Sequence, residues 1–391
     1  MLKLETIKDK YYKFEDYDPL RVMEVEYPQE ENVTKEEANS DSFQVITRDI
    51  QSVPDFVNSI LIILSNRFIL DPDYMNLEIR SFENLFTRPD GDKYLAKVLN
   101  KYNICFRGQS KEYSYVLPSL YRNFKTIKNE KNIVFESKAK SANTLMNLSS
   151  FDTLALLQHY GQCTRILDVT TNALIALFFA VSDTEFIEDD GVVFLYNFRS
   201  SCFPNDPEVI AKSALSTLTY SEKIELFKML STVNIKDENE DIKSYLKQHC
   251  LPSQLSYKLV TALDKIYSIV EKETCRKLIR IKDLFGIALV KPYQIDDRIT
   301  RQSGNFVLFG LEYIIDPHND DYKKIADYML HKHEIMYTPR KCGNGSEARI
   351  IIKAKFKKFI KKELAVLGIT EEAVYPDISH KNAVIKNKYL I

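Results

Sequence analysis

The stretch "TRILDVTTNALIALFFAV", residues 164–181, decides how the rest of the chain is read. It begins as a short extended piece and passes into a helix that Thr171 or Asn172 caps. Nine consecutive apolar residues, "ALIALFFAV" at 173–181, leave that helix no polar face, so it belongs deep in a core. Just upstream, "FDTLALLQHYG" (151–161) reads as a short helix with Asp152 as its cap and Gly161 as its stop. In "NICFRGQS" (103–110), Ile104 and Phe106 alternate with Asn103 and Cys105, the period of a half-buried strand. That strand ends by setting Arg107 against Gly108, where another backbone or a ligand can come close. Downstream, "DDG" (189–191) marks a turn and "VVFLYNF" (192–198) a further strand.

Working outward, charge clusters such as "PQEENVTKEEANSD" (28–41) mark residues 1–45 as an N-terminal arm. "SVPDFVNSILIILSNRF" (52–68) predicts a helix capped by Ser52, with Phe56, Ile60, Ile63 and Leu64 on one face. Pro118 breaks "YSYVLPSLYRN" (113–123). Between 205 and 283, successive helical patterns joined by polar connections predict a helical insertion, which divides the main domain into 46–204 and 284–391. Strand texture returns in "GIALVKP" (286–292), "NFVLFGLEYII" (305–315) and "EARIIIKA" (347–354). A last helix sets Phe356, Phe359, Ile360, Leu364 and Leu367 on one face. Six lysines of 353–362 lie mostly on the other, read as a solvated face. The class expected is α+β with a mixed or antiparallel sheet.

The 391 residues are 45% hydrophobic and 28% charged, which suits a globular protein with a sizeable core. Fifty-four basic against 55 acidic residues exclude a global field that would draw in nucleic acid or anionic membrane. The nine-residue apolar run falls far short of the roughly 20 residues of a spanning helix. The charged opening "MLKLETIKDKYYKFEDYD" shows no signal-peptide pattern. Six scattered cysteines without a CxxC pair suit the reduced thiols of a cytoplasm. Of six histidines, only His331 and His333 in "HKHE" stand at a ligand-like spacing, and metal is not expected.

Polar side chains crowd four places that are otherwise apolar. They are Arg107 to Ser110; Gln158, His159 and Tyr160; Thr164 and Arg165 followed by Asp168, Thr170 and Asn172; and Arg298, Arg301 and Gln302 in "DRITRQSGNF". Taken singly, each has an ordinary explanation. Asp168, Thr170 and Asn172 make good caps and turns, His159 can be a structural histidine, and the arginines can pair with Asp168, Asp296 or Asp297. Polar clusters within apolar segments are costly unless they satisfy one another or a ligand, so the four are expected to converge on one cleft.

"FRGQS", "PSLYR", "LLQHYGQCTRILDVTTNALIALFFA" and "RITRQSGNF", with the late "LAVLGITEEAVYPDI" (364–378), resemble the FRG domain family, named for its Phe-Arg-Gly motif. The resemblance runs over roughly residues 46–380. Val169 stands where the family usually carries Trp, and the chain has no Trp. FRG proteins are largely bacterial or phage-encoded and often occur in defence settings, which implies a cytoplasmic toxin or anti-phage role. More distantly, "FRG" (106–108) and "DVTTNALIALFFA" (168–180) are similar to the first two motifs of toxin-like ADP-ribosyltransferases. Those motifs are a strand ending in aromatic-Arg-Gly and a Ser/Thr-rich strand entering a helix.

This second resemblance implies an ADP-ribosyltransferase-like fold with NAD as substrate. Its nicotinamide–ribose bond would be cleaved, with transfer to a macromolecular acceptor or to water. Arg107 would clamp a phosphate or ribose edge, and Gly108 would let the ligand approach. Thr170 and Asn172 would brace the nicotinamide, while Gln109, Gln158, His159 or Tyr160 orient cofactor or acceptor; Thr164, Arg165 and Arg298 complete the binding set. The implied catalytic set is Arg107, His159, Asp168, Gln302 and Glu312. The third motif of those enzymes carries a catalytic Glu on a strand, whereas "RQSGNF" offers Gln302, leaving Asp168 and Glu312 as the candidate acids. The helical insertion would bind a regulator or target. Other readings stay open: a non-catalytic nucleotide- or nucleic-acid-binding sensor, a nuclease using His159 and Arg165, and an interaction scaffold.

Overall fold

Six short runs rich in β-branched and aromatic residues pair into one antiparallel sheet of order β4-β5-β2-β1-β3-β6. They are β1 (Asn103–Gln109), β2 (Ile166–Thr170), β3 (Gly191–Phe198), β4 (Ile287–Val290), β5 (Gly304–Phe309) and β6 (Ala348–Ile352). The computed structural model describes residues 50–68, 103–111, 116–198, 200–230, 239–251, 255–293, 300–314 and 348–375. The ladders are uneven. β1 pairs with β3 from Asn103↔Phe198 to Gln109↔Val192, and β2 with β5 from Ile166↔Leu308 to Thr170↔Gly304. Between β1 and β2, the register holds a single pair, Phe106↔Thr170. The sheet is therefore two three-stranded halves joined at a narrow seam.

The helices are α1 (Val53–Phe68), α2 (Phe124–Lys140), α3 (Ser150–His159), α4 (Ala173–Ser182), α5 (Pro207–Ala214), α6 (Tyr220–Leu230), α7 (Ile242–His249), α8 (Tyr257–Thr274) and α9 (Ala354–Val366), with shorter turns between. α4 is the apolar helix expected from the sequence. Asn172 caps it, its Oδ1 accepting from the Leu174 N–H at 3.0 Å. It lies so close to the sheet that a Cβ on Gly108 would stand 1.7 Å from the Ala176 carbonyl oxygen, and one on Gly191 2.3 Å from that of Ala180. Gly108, expected to let another backbone or a ligand come close, admits the backbone of α4 and also lines the cleft at the seam. For α3, the cap is Ser149 and not Asp152. The Ser149 hydroxyl accepts from the Asp152 N–H at 3.0 Å and donates to the Asp152 carboxylate at 2.7 Å. Gly161, at φ 80°, ends the helix as expected.

One face of the sheet packs Phe106, Val193, Leu195 and Ile350 against Ala176 and Phe178 of α4, Phe56 and Ile60 of α1, and Ile360 and Leu364 of α9. The α1 side chains from residue 61 onward lie outside the described residues. The other face packs Cys105, Leu167, Phe194 and Tyr196 against Val134 of α2, Phe151 of α3, Ile210 of α5, Leu226 of α6, Ile242 of α7 and Ile266 of α8. The helices of 205–283, expected as an insertion, are thus part of this second core. The expected arm boundary at residue 45 lies outside the described residues.

Two further expectations change. The strand predicted over 305–315 stops at Phe309, and Leu311–Ile314 is a 3-10 turn, so Glu312 is not on a strand. The lysine face of α9 is only partly solvated. Lys357 is fully buried and donates to the backbone oxygens of Ser110 (2.6 Å) and Phe186 (2.7 Å); Lys353 pairs with Asp190 at 2.8 Å, and Lys361 donates to the Ser182 carbonyl at 3.2 Å. Lys353, Lys357 and Lys361 thus clamp the loop after α4, Lys355, Lys358 and Lys362 stay exposed, and Phe359 and Leu367, expected on the apolar face, are exposed as well. No helix among the described residues is long and apolar enough to cross a membrane.

Candidate functional site

Where β1 and β2 part beyond Phe106↔Thr170, a cleft of about 230 Å³ opens at the seam. Its polar lining is Arg107, Gln158, His159, Asp168, Thr170, Gln302 and Asn305, Gly108 lies beside Arg107, and Phe106, Phe179 and Phe306 give it apolar walls. Continuing the register would set Gly108 opposite Asp168. Instead, the ladder stops and the Arg107 side chain crosses the gap, its Nη1 donating to the Asp168 backbone oxygen at 2.6 Å. Arg107 Nε is buried and has no hydrogen-bond partner among the described residues. Burial pulls the guanidinium below its ordinary value and Arg122 adds to this, while Asp168 and Tyr196 oppose. An arginine remains a cation under such shifts.

The Asp168 carboxylate is exposed at the cleft, although Asp168 sits among buried strand neighbours. Gln158 Nε2 donates to its Oδ2 at 3.0 Å, and Gln158 Oε1 accepts from the Thr164 hydroxyl at 2.7 Å. Thr170 Oγ1 donates to the Gln302 backbone oxygen at 2.6 Å and accepts from the Asn172 N–H at 3.0 Å. Gln302 in turn donates from Nε2 to the Val374 carbonyl at 3.2 Å, which brings the turn Glu371–Val374 to the site. Asn305 is a lining residue that sequence reasoning missed. Its only sequence signal is an amide within an apolar strand. Its Nδ2 lies 3.8 Å from the Cys105 sulfur, whose thiol burial pushes up to about 11 despite that contact. Such a thiol is no nucleophile at neutral pH.

Several expected site residues stand elsewhere. Arg165 is fully buried: Nε meets Glu130 Oε1 at 2.7 Å, Nη2 meets Oε2 at 2.6 Å, and Nη1 donates to the Phe309 backbone oxygen at 3.1 Å. Lys223 shares the same carboxylate. Burial alone would raise the Glu130 carboxyl, but Arg165 and Lys223 outweigh it and hold it at about 2. Lys223 is drawn below its ordinary value by burial, against the pull of Glu130, and so is the weaker of the two cations. Arg165 is therefore committed to Glu130 and the Phe309 carbonyl, outside the cleft lining, and pins the start of β2.

Thr164 is buried behind Gln158, Asn172 is a helix cap, and Gln109 is buried away from the cleft lining. Tyr160 is 70% exposed, its ring edge-on to His159 at 5.1 Å. Arg298, His331, His333 and the Glu312 side chain lie outside the described residues. Among the described residues, no group of three or more His, Cys, Asp and Glu is placed to hold a metal ion.

No curated protein and no solved structure matches the chain. The family model described as FRG domain matches residues 102–188, a span that runs from β1 through α4 and contains Arg107, Gln158, His159, Asp168 and Thr170 but not Gln302. The part of the chain similar to the FRG domain therefore supplies most of the polar lining of the seam cleft.

Proposed function

We propose that the seam cleft receives the nicotinamide-ribose end of NAD and that the protein transfers ADP-ribose to a macromolecule or to water. The observation that carries this reading is the Asp168 carboxylate, exposed at the cleft and held on one oxygen by Gln158. At about 230 Å³, the cleft lies below the roughly 300–1,000 Å³ of sites that enclose a drug-sized ligand, so it suits one end of a dinucleotide and not the whole. Phe106, Phe179 and Phe306 offer apolar surface to a planar ring, and Arg107 brings a cation.

Breaking the nicotinamide–ribose bond develops positive charge on the ribose, as in glycoside hydrolysis. A fixed carboxylate stabilises that charge. Asp168 takes the role for which Glu312 was the alternative. Gln302 is suited to hold a ribose hydroxyl and cannot take a proton. The ADP-ribosyltransferase-like fold and the toxin or anti-phage setting are part of this proposal and rest on the motif resemblance read from the sequence.

A second reading, a module that binds a nucleotide without turnover, is favoured by one observation. The Arg107 guanidinium already serves the Asp168 carbonyl and is partly a piece of the fold. One experiment separates the two. The pure protein is incubated with NAD labelled in its nicotinamide and adenylate halves, with and without cell extract. Nicotinamide release by the wild type, reduced at least about 100-fold in Asp168→Asn at unchanged thermal stability, is the expected result. Binding without release would establish the binding module, and neither binding nor release would end the NAD reading.

A further inference from the structure

We propose that the turn Glu371–Val374, with Tyr375 after it, positions two ligand-facing walls of the seam cleft, Gln302 and Phe179. The Val374 carbonyl turns the Gln302 amide so that Oε1 is the end offered to a ligand, and the Tyr375 ring backs Phe179. Val374 and Tyr375 are thereby positioning residues. They lie in the late stretch "LAVLGITEEAVYPDI" (364–378), beyond the matched span 102–188 and in neither expected site set. The wall geometry stands on its own, whereas the identity of the ligand group that meets it rests on the NAD reading.

The turn is a firm prop. Thr370 caps it, its hydroxyl accepting from the Ala373 N–H at 3.3 Å. The Val374 N–H donates to the Thr370 carbonyl at 3.0 Å, and the Tyr375 N–H to the Glu371 carbonyl at 2.8 Å. The Val374 side chain is 1% exposed and shares the core with Phe178 of α4 and Leu364 of α9. Gln302 is tied at its main chain, where the carbonyl accepts from the Thr170 hydroxyl at 2.6 Å. Its side chain is tied at Nε2, which donates to the Val374 carbonyl at 3.2 Å. A carbonyl only accepts, so the amide nitrogen must face the turn. Oε1, which has no hydrogen-bond partner among the described residues, is left for the cleft that Gln302 lines. An acceptor there favours a ligand group that donates, such as a hydroxyl, over a phosphate or carboxylate oxygen. In NAD that group is a hydroxyl of the nicotinamide-side ribose.

The second wall is a ring. Phe179 lines the cleft, and its backbone carbonyl accepts from the Ser110 hydroxyl at 2.7 Å. Tyr375 stands edge-on to Phe179, with 6.1 Å between ring centres, and is tilted against the buried Phe178 at 6.5 Å. Edge-to-face contacts of this kind favour one ring arrangement over others. Because Gln302 and Phe179 lean on consecutive residues, a change at Tyr375 is expected to shift both walls together.

The test uses the full chain with ¹⁵N-labelled glutamine, the Gln302 side-chain amide signals being identified by their loss in Gln302→Leu. Tyr375→Leu is expected to shift and broaden those signals. Thr370→Val, which takes the cap from the turn without touching the cleft lining, should move them as well. Unchanged Gln302 signals in Tyr375→Leu, or in Thr370→Val should Tyr375→Leu not fold, would overturn the proposal whether or not the protein consumes NAD. In the nicotinamide-release assay, Tyr375→Leu should raise KM for NAD about tenfold with kcat within about threefold, because walls that hold ground state and transition state alike act on binding. Tyr375→Phe, which keeps the ring, should restore KM. Altered signals with unchanged KM in an active wild type, or a loss confined to kcat, would overturn the positioning role. A wild type that neither binds nor cleaves NAD would end the NAD reading, and the Gln302 signals would still decide the wall geometry.

Discussion

Gly108 and Gly161 flank the site motifs for different physical reasons, and substitution separates them. A Cβ at Gly108 would stand 1.7 Å from a backbone oxygen of α4, which cannot rotate aside. Overpacking of this kind costs about 1–3 kcal/mol or more, so Gly108→Ala should fold poorly or unfold at a much lower temperature. Gly161→Ala meets nothing within 4 Å and bears only the cost of φ 80°, about 1–2 kcal/mol. Equal thermal unfolding of the two variants would refute the helix contact at Gly108. Arg107→Ala should lose its charge-assisted bond to the Asp168 carbonyl, worth about 1.5–3 kcal/mol, as well as weakening NAD binding. That bond corrects the simpler expectation of an arginine devoted to the ligand, and urea unfolding of Arg107→Ala and Arg107→Lys measures it. The strand around Arg107 was legible from its alternation, and so was a close approach at its glycine; that the approaching backbone is α4 was not, because it depends on which helix crosses the strand. Arg107 and Arg165 also look alike in sequence. What separates them is Glu130, which lies in an amphipathic helix 35 residues before Arg165 and carries no motif.

At the scale of elements, that same Glu130 ties α2 and α6 to the start of β2, because Arg165 and Lys223 meet on its carboxylate. The elements themselves were largely legible: α1, α4, β3 and the seam strands follow their apolar periods. The contacts between them were not, since a buried ion cluster is assembled from residues that read singly as surface charges. Glu130→Gln leaves two buried cations without their counter-charge and should cost about 3–5 kcal/mol in urea unfolding. The pH dependence follows from the lowered carboxyl. Its contribution is full above the ordinary value of 4.5 and is lost as pH falls toward about 2. Between those pH values, the wild type should therefore lose more stability than Glu130→Gln. Parallel loss in the two proteins would show that the cluster does not drive the acid response. The strand expected through residue 315 was misread because Gly310 interrupts an apolar run whose two sides look equally extended in sequence. Only the turn at Leu311–Ile314 shows that the strand has ended.

For the whole molecule, the FRG match and the folded unit have different extents. Residues 102–188 contain β1 and β2, which meet at the single pair Phe106↔Thr170. The long ladders of those strands run to β3 and β5, both beyond residue 188. One face of the sheet is covered by α1 and α9, and the other draws Ile210, Leu226 and Ile266 from the helices of 205–283. Gln302, a cleft residue outside the match, arrives on the approach to β5 and is held by the turn ending at Val374. Recognisable motif and cooperative unit therefore differ, and residues 102–188 produced alone should not fold. Their two strands would lack ladder partners, and Arg165 and Glu130 would lose Lys223 and the Phe309 carbonyl. Removing 205–283 from the full chain should fail in the same way, because it strips α5, α6, α7 and α8 from the core behind β2 and leaves apolar strand faces open to water. Far-UV circular dichroism and amide-signal dispersion of both proteins measure the outcome. A dispersed, cooperatively unfolding 102–188 fragment would mean that the seam can close on its own and that the surrounding layers are additions to an independent domain. Loss of fold in both would make the helical layer part of the site's foundation, since it is that layer, through Lys223 and Glu130, that holds the strand carrying Asp168.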